Sequence, residues 1–216
     1  MSKKYEIFLF DLDGTITDSA LGITNSVMYA LKKFGIEETD RTKLYKFIGP
    51  PLTESFEKFY GFTKEQSLDG VKYYREYYHD KGIYENRVYD GLEEVLKKIN
   101  EAGKQAIVAT SKPEKYAKII IDHFHLTKYF TCVAGMEMDG GRGTKAQVIT
   151  YALEKNDITD KSNVLMIGDR EHDVIGAHEN GLDCLGILYG FGSRKEFEEA
   201  GADYIRENVE DILQFV

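Results

Sequence analysis

Tyr5-Glu6-Ile7-Phe8-Leu9-Phe10-Asp11-Leu12-Asp13-Gly14-Thr15-Ile16-Thr17-Asp18 is an apolar run that stops on two carboxylates one residue apart and then meets a glycine. The run into Phe10 lacks polar alternation and has the length of an ordinary strand, which predicts a parallel strand buried on both faces. In an open α/β sheet, ligands bind beyond the carboxyl ends of the strands, and Asp11 and Asp13 lie at that end. Residues two apart on a strand share a face, so extended geometry kept up to Asp13 would turn both carboxylates into one pocket. Gly14 then lets the chain turn away. Carboxylates that close repel unless a shared proton or a cation intervenes. Mg²⁺ suits an oxygen set made of few carboxylates plus a substrate phosphate. The pattern points to phosphoryl transfer, with one Asp as nucleophile and the other as acid/base. By itself it also fits a strand running into a common Asp/Gly turn.

Outward from this strand the pattern changes twice. Ala20–Phe34 carries apolar residues at helical spacing and ends at Gly35. Shorter helical patterns cover 42–48 and 52–60, separated by Gly49-Pro50-Pro51, and a longer one runs from Lys64 to Asp80. Residues 19–84 therefore read as all-helical, a small bundle inserted after the first strand. From Gly91 helices and strands alternate, with strands predicted at 105–109, 131–134, 163–167, 183–188 and 203–205. The intervening helices cover 92–102, 114–124, 144–155 and 171–180, and a closing helix starts at Val209. Alternation with short turns predicts an α/β fold with a doubly wound parallel sheet, Rossmann-like, formed by 1–17 and 85–216, with 18–84 as a helical insert.

The 216 residues suffice for one or two domains with a sizeable core, and 42% hydrophobic with 30% charged residues is ordinary for a soluble globular chain. A formal net charge of −9 argues against a nucleic-acid polymer or an anionic membrane as partner. An acidic chain that handles phosphate has to concentrate positive charge locally, through a metal or a placed lysine. Cys132 and Cys184 show no metal spacing and read as free buried thiols in a reducing compartment. The apolar stretch after Lys3 and Lys4 is too short for a signal peptide, and no stretch has the length of a membrane span. A cytoplasmic location is the expectation.

Three further constellations bear on chemistry. Gly168-Asp169-Arg170-Glu171-His172-Asp173 follows the apolar run 164–167 and again puts carboxylates at a strand end entering a helix. Asp169 and Asp173 share a face if the helix has begun there, although acidic residues also suit any helix start. Ala109-Thr110-Ser111-Lys112-Pro113 ends a strand in hydroxyls, with Pro113 fitting the first helical position. Hydroxyls and free N–H groups at a helix start bind phosphate oxygens, and they also serve as ordinary caps. Gly140-Gly141-Arg142-Gly143-Thr144-Lys145 lacks the G-K-[S/T] order and a directly preceding strong strand, which excludes a nucleoside-triphosphate P-loop. Lys145 would still neutralise phosphate at a glycine-rich helix start. The five histidines have no ligand spacing, and only His172 lies within an acidic loop.

D-x-D-G-T, a strand ending in Thr, a lysine and G-D-x-x-x-D, in that order across nearly the whole chain, resemble the haloacid dehalogenase superfamily. Within it the chain looks like the phosphoglycolate-phosphatase-like branch with a helical cap inserted after the first motif. Phe47–Leu52 and Tyr189-Gly190-Phe191-Gly192-Ser193 resemble a bacterial subgroup of 5′-nucleotidase-like or phosphoglycolate phosphatases. The resemblance implies Asp11 as nucleophile, forming an aspartyl-phosphate, and Asp13 as general acid and then base. It implies Thr110 as the contact for the transferring phosphoryl group and Lys145 as the balance for its charge and that of Asp11, and the Ser111 hydroxyl beside Thr110 is expected to bind substrate too. Mg²⁺ would be held by Asp11, the Asp13 backbone carbonyl and Asp169, with Asp173 in support. Many relatives follow the lysine with Pro-x-Pro, where this chain has Lys145-Ala146-Gln147. The implied substrate is a small phosphorylated metabolite. A phosphosugar mutase of the same superfamily and a phosphate-binding regulatory module without turnover are the alternatives. The stripe Tyr73-Tyr74-Arg75-Glu76-Tyr77-Tyr78 reads as packing on an amphipathic helix, or else as a platform for a base or sugar. The rigid loop Ile48–Leu52 is the first candidate for substrate selection.

Overall fold

The computed structural model describes residues 3–138 and 141–216, and the chain divides into two compact units, Met1–Thr17 with Val88–Val216, and Asp18–Arg87. Along the chain the strands are β1 (Ile7–Phe10), β2 (Thr17–Asp18), β3 (Arg87–Val88), β4 (Gln105–Pro113), β5 (Cys132–Met136), β6 (Val164–Gly168), β7 (Asp183–Ile187) and β8 (Tyr204–Arg206). The α-helices are α1 (Ala20–Lys33), α2 (Leu52–Tyr60), α3 (Lys64–Tyr77), α4 (Leu92–Glu101), α5 (Glu114–His123), α6 (Lys145–Lys155), α7 (Glu171–Glu179) and α8 (Arg194–Ala200).

In the first unit six strands form one sheet in the order β5-β4-β1-β6-β7-β8, and every neighbouring pair is parallel. This is the doubly wound α/β architecture that the alternation of elements predicts. The chain leaves β1 for β4 and β5 on one side, then returns to its other side for β6. The carboxyl end of β1 is therefore the switch point of the sheet, where such folds bind ligands. Alternate residues serve opposite faces. Leu9, Ile107, Ala109, Val164, Met166 and Cys184 join Val148, Ile149 and Ala152 of α6 and Val174 and Ala177 of α7 in one buried cluster. Phe8, Phe10, Val108, Leu165 and Ile167 point the other way and are equally buried, so both faces of the central strands are covered. Cys132 and Cys184 are free and buried.

The second unit, Asp18–Arg87, is helical between its two ends. Its core is aromatic: Phe47 and Phe56 meet edge-on at 5.2 Å, and Phe56 stacks on Phe62 at 5.5 Å with an interplanar angle of 5°. The tyrosine stripe belongs to this packing. Tyr74 stacks on Tyr78 at 5.2 Å, Tyr73 packs edge-on against Phe34, and the Tyr77 hydroxyl donates to Glu85 Oε1 at 3.0 Å. No helix of the described residues is long and apolar enough to cross a membrane.

Several local expectations differ from the structure. β1 ends at Phe10, and Asp13 already bridges to Thr17, so extended geometry does not reach the second carboxylate. The two-residue strands β2 and β3 pair with each other, and they are too short for periodicity to register. β4 runs to Pro113, four residues past the predicted end at Ala109, and Pro113 caps α5 rather than opening it. α3 stops at Tyr77 and passes into a wide turn over Tyr78–Gly82, and the closing segment Val209–Phe215 is a 3₁₀ helix. Leu21, one of the apolar residues at helical spacing within 20–34, is 49% exposed in the first turn of α1. The first glycine of the run before Lys145, Gly140, lies outside the described residues.

Phe56 is fully buried at the centre of the helical unit's aromatic cluster. Phe56→Ala is expected to cost about 3–5 kcal/mol of that unit's stability. Amide hydrogen exchange should then show protection lost in α1–α3 while β1, β4 and β6 keep theirs. Loss spread evenly over both units would contradict the division.

Candidate active site

Four carboxylates and two lysines gather at the carboxyl ends of β1, β4 and β6. Asp11 follows β1 directly and its backbone N–H donates to Ile167 O at 2.9 Å, so neighbouring strand β6 fixes its position. Asp169 follows β6, and Asp173 stands in the first turn of α7. Asp11, Asp169 and Asp173 are all buried, and each offers a carboxylate oxygen within 4.8 Å of the others. The Asp13 carboxylate stands outside this trio.

Lys145, the first residue of α6, reaches into the group. Its ammonium lies 2.8 Å from Asp11 Oδ1 and 2.7 Å from Asp173 Oδ1, and donates to Ala109 O of β4 at 3.0 Å. Thr144 sets this entry by capping α6: its side chain accepts from the Gln147 N–H, and the Gln147 side chain answers to the Thr144 N–H. Burial works against the charge of Lys145, but Asp11 and Asp173 outweigh it and hold the ammonium above the ordinary lysine range.

One ammonium does not balance three carboxylates. Burial, followed by the charges of Asp173 and Asp11, pushes the Asp169 carboxyl well above its ordinary value. Burial likewise pushes Asp173 up to about 6, with Lys145 opposing and Asp11 adding to the rise. Backbone groups hold one oxygen of each: Phe191 N–H donates to Asp169 Oδ2 at 2.9 Å, and Arg170 N–H to Asp173 Oδ2 at 3.1 Å. Asp169 Oδ1 is buried and has no partner among the described residues. A buried carboxylate oxygen left without a donor costs free energy, and hard oxygens around an excess of negative charge suit a divalent cation. The residues present fit such an ion.

Thr110 is buried near the end of β4, and its hydroxyl accepts from Lys112 N–H at 3.2 Å. Ser111 beside it is half-buried. Here β4 bulges, because Thr110 pairs with Gly135 and Pro113 with Met136, leaving Ser111 and Lys112 as extra residues. Gly135 permits this, since a Cβ there would overlap the backbone of Lys112 and Glu114. The bulge delivers Lys112, which the sequence did not single out, to Asp13: Nζ lies 2.6 Å from Asp13 Oδ2. Asp11 and Asp13 thus answer to two different lysines. The sequence shows only a lysine between a strand end and Pro113, with nothing to mark it as a site residue.

The loop after β7 also contributes. Tyr189 donates its hydroxyl to Thr15 O at 3.0 Å, and Phe191 supplies the N–H to Asp169. Gly14, at φ +85°, makes room for that carboxylate, because a Cβ there would overlap Asp169 Oδ2. His172 takes no part in the acidic trio.

Known proteins resemble the chain over most of its length. The family model described as haloacid dehalogenase-like hydrolase matches residues 8–187. The chain belongs to the haloacid dehalogenase-like hydrolase family. It is 45% identical over 193 residues to a 5′-nucleotidase of Pseudomonas aeruginosa, covering 89% of this chain and 87% of that one. It is 35% identical over 188 residues to the tyrosine-protein kinase PtkA of Mycobacterium tuberculosis, covering 87% of this chain and 63% of that one. A crystal structure of a predicted phosphatase from Clostridium acetobutylicum superposes with a TM-score of 0.94 at 47% identity, covering 98% of both chains. The parallel sheet around β1 is thus the haloacid dehalogenase-like core.

Two outcomes follow from the charges. Removing the Lys145 ammonium leaves Asp11 and Asp173 buried without their cation, so Lys145→Met is expected to cost the metal-free protein about 3–5 kcal/mol at pH 8 in urea unfolding. A loss below about 1 kcal/mol would show that the ammonium is not what holds the carboxylates together. Asp169 titrates above its unfolded value, so the folded chain binds the extra proton and loses stability as pH rises above the ordinary carboxylate range. Metal-free wild type should therefore fall below Asp169→Asn in melting temperature at pH 8 and approach it toward pH 5. A difference that does not change with pH would contradict this.

Proposed function

We propose that the protein is a Mg²⁺-dependent phosphatase that hydrolyses a small phosphomonoester, of nucleotide or phosphoglycolate type, through an aspartyl-phosphate on Asp11. The observation that carries the reading is the buried trio Asp11, Asp169 and Asp173 around Lys145, with an unpartnered Asp169 oxygen at the switch point of the sheet. Family membership and the 5′-nucleotidase and phosphoglycolate phosphatase names of relatives support it. The acidic net charge fits a small metabolite rather than a nucleic-acid polymer, and a cytoplasmic location is part of this reading.

The chemistry is set by charge. An anionic carboxylate has to approach an anionic phosphate, and each unit pair near 4 Å costs about 4 kcal/mol at an effective dielectric of 20. Lys145 offsets part of this, because its ammonium already sits on Asp11. Asp11, Asp169 and the Asp13 carbonyl, with Asp173 in support, would hold Mg²⁺, which supplies further neutralisation of the phosphoryl oxygens. Thr110 and Ser111 hold and orient the phosphoryl group. An Asp11 oxygen bonds to phosphorus as the ester P–O bond breaks, and Asp13 passes its proton to the departing alkoxide oxygen, giving the alcohol. Asp13, now a carboxylate, takes a proton from water as the water oxygen bonds to phosphorus. The Asp11 P–O bond breaks, which restores both side chains and releases phosphate. Covalent catalysis divides one hydrolysis into two steps.

With Mg²⁺, the protein is expected to release inorganic phosphate from a panel of phosphomonoesters, and to stop when EDTA is added. Asp11→Asn should lower kcat/KM by at least about 10³-fold. Full activity in Asp11→Asn would overturn the reading. Interconversion of hexose phosphates without phosphate release would replace it with a mutase.

A further inference from the structure

We infer that Lys112 is a positioning residue that assigns the two oxygens of Asp13 separate tasks, anchoring Oδ2 and leaving Oδ1 to carry the proton to and from the substrate. The inference rests on the acid/base role proposed for Asp13 and deepens it.

Lys112 is an unusual place for a lysine. Its side chain is only 6% exposed, beside an Asp13 side chain that is 12% exposed. Burying an ammonium is unfavourable unless it is paired and hydrogen-bonded, and it is paired here, at 2.6 Å to Asp13 Oδ2. The β4 bulge and Gly135 bring it to this point, as described above. Its own N–H donates to the Thr110 hydroxyl, so the phosphoryl contact and the proton carrier are tied to one short segment.

The assignment of oxygens follows from donor chemistry. An ammonium has donors only, so the oxygen it touches must remain an acceptor and the proton has to reside on the other. That other atom, Asp13 Oδ1, is buried and has no partner among the described residues. In the first step the Oδ1 proton goes to the ester oxygen, which keeps the electrons of the broken P–O bond and leaves as the alcohol. In the second step Oδ1 takes a proton from the water whose oxygen bonds to phosphorus, while the Asp11 carboxylate departs with the P–O electrons. Oδ2 stays on Lys112 through both. The carboxylate torsion is otherwise broad and close to two-fold. Without the lysine the two oxygens would exchange places, and the proton would often stand where no ester oxygen is.

The test compares leaving groups. Because kcat/KM reports the step that expels the alcohol, Lys112→Met should lower it by about 10²-fold for a primary alkyl phosphate, whose alkoxide must be protonated. For p-nitrophenyl phosphate, whose phenolate leaves unaided, the loss should be below about threefold. Lys112→Arg, which restores a cationic donor, should recover most of the alkyl activity. Lys112→Gln serves as the second variant should Lys112→Met fail to fold, with the same split at smaller amplitude. Equal loss on both substrates would reduce Lys112 to a structural residue, and no loss on either would remove it from the reaction. Asp13→Asn run alongside separates the two levels. A split there but not at Lys112 overturns this inference alone, and no split at either overturns the acid/base reading of Asp13 together with it.

Discussion

The structure depends on a buried ammonium. Lys145 contacts Asp11 and Asp173 within 3 Å and binds a carbonyl of β4, so one charge ties together the ends of β1 and β4 and the first turn of α7. Isolated, each of these groups would be too costly to bury, and together they are tolerable. The arrangement is still short of positive charge, which is why Asp169 and Asp173 resist ionisation and Asp169 keeps an oxygen without a donor. A site short of positive charge is well suited to receive a metal and a phosphate.

The fold makes this economical. A parallel sheet that reverses direction at β1 places three strand ends side by side, and the residue after a strand can turn its side chain into the crevice. Asp11 and Asp169 occupy such positions, while the bulge in β4 supplies Thr110, Ser111 and Lys112. Asp169, Asp173 and Asp13 share a further feature: one oxygen of each is fixed by an N–H or an ammonium. Rigid elements do the fixing, so little reorganisation remains for the reaction.

Much of this was legible because the decisive residues follow strands that read clearly. The apolar runs before Asp11 and Asp169 announce buried parallel strands, and two such strands ending in carboxylates point to one shared site better than either does alone. Lys145 was legible as a lysine at a helix start, but only the three-dimensional packing of α6 on β4 shows that it reaches Asp11. Lys112 was hidden, because its position depends on a bulge allowed by Gly135, a residue 23 positions away on another strand. Strand alternation puts Asp13 beside Asp11 but says nothing of Lys112, which pairs with Asp13 once the chain turns after Phe10. The role of Phe191 was equally silent, since a backbone N–H carries no side-chain signature.

Asp11, Asp169 and Asp173 leave a deficit of positive charge that a divalent cation would fill. Calorimetric titration of metal-free protein with Mg²⁺ measures this directly. A single site per chain is expected, lost in Asp169→Asn and unchanged in a variant of the distant carboxylate Asp183. Binding that survives Asp169→Asn, or that is lost equally with Asp183, would place the ion elsewhere and contradict the account.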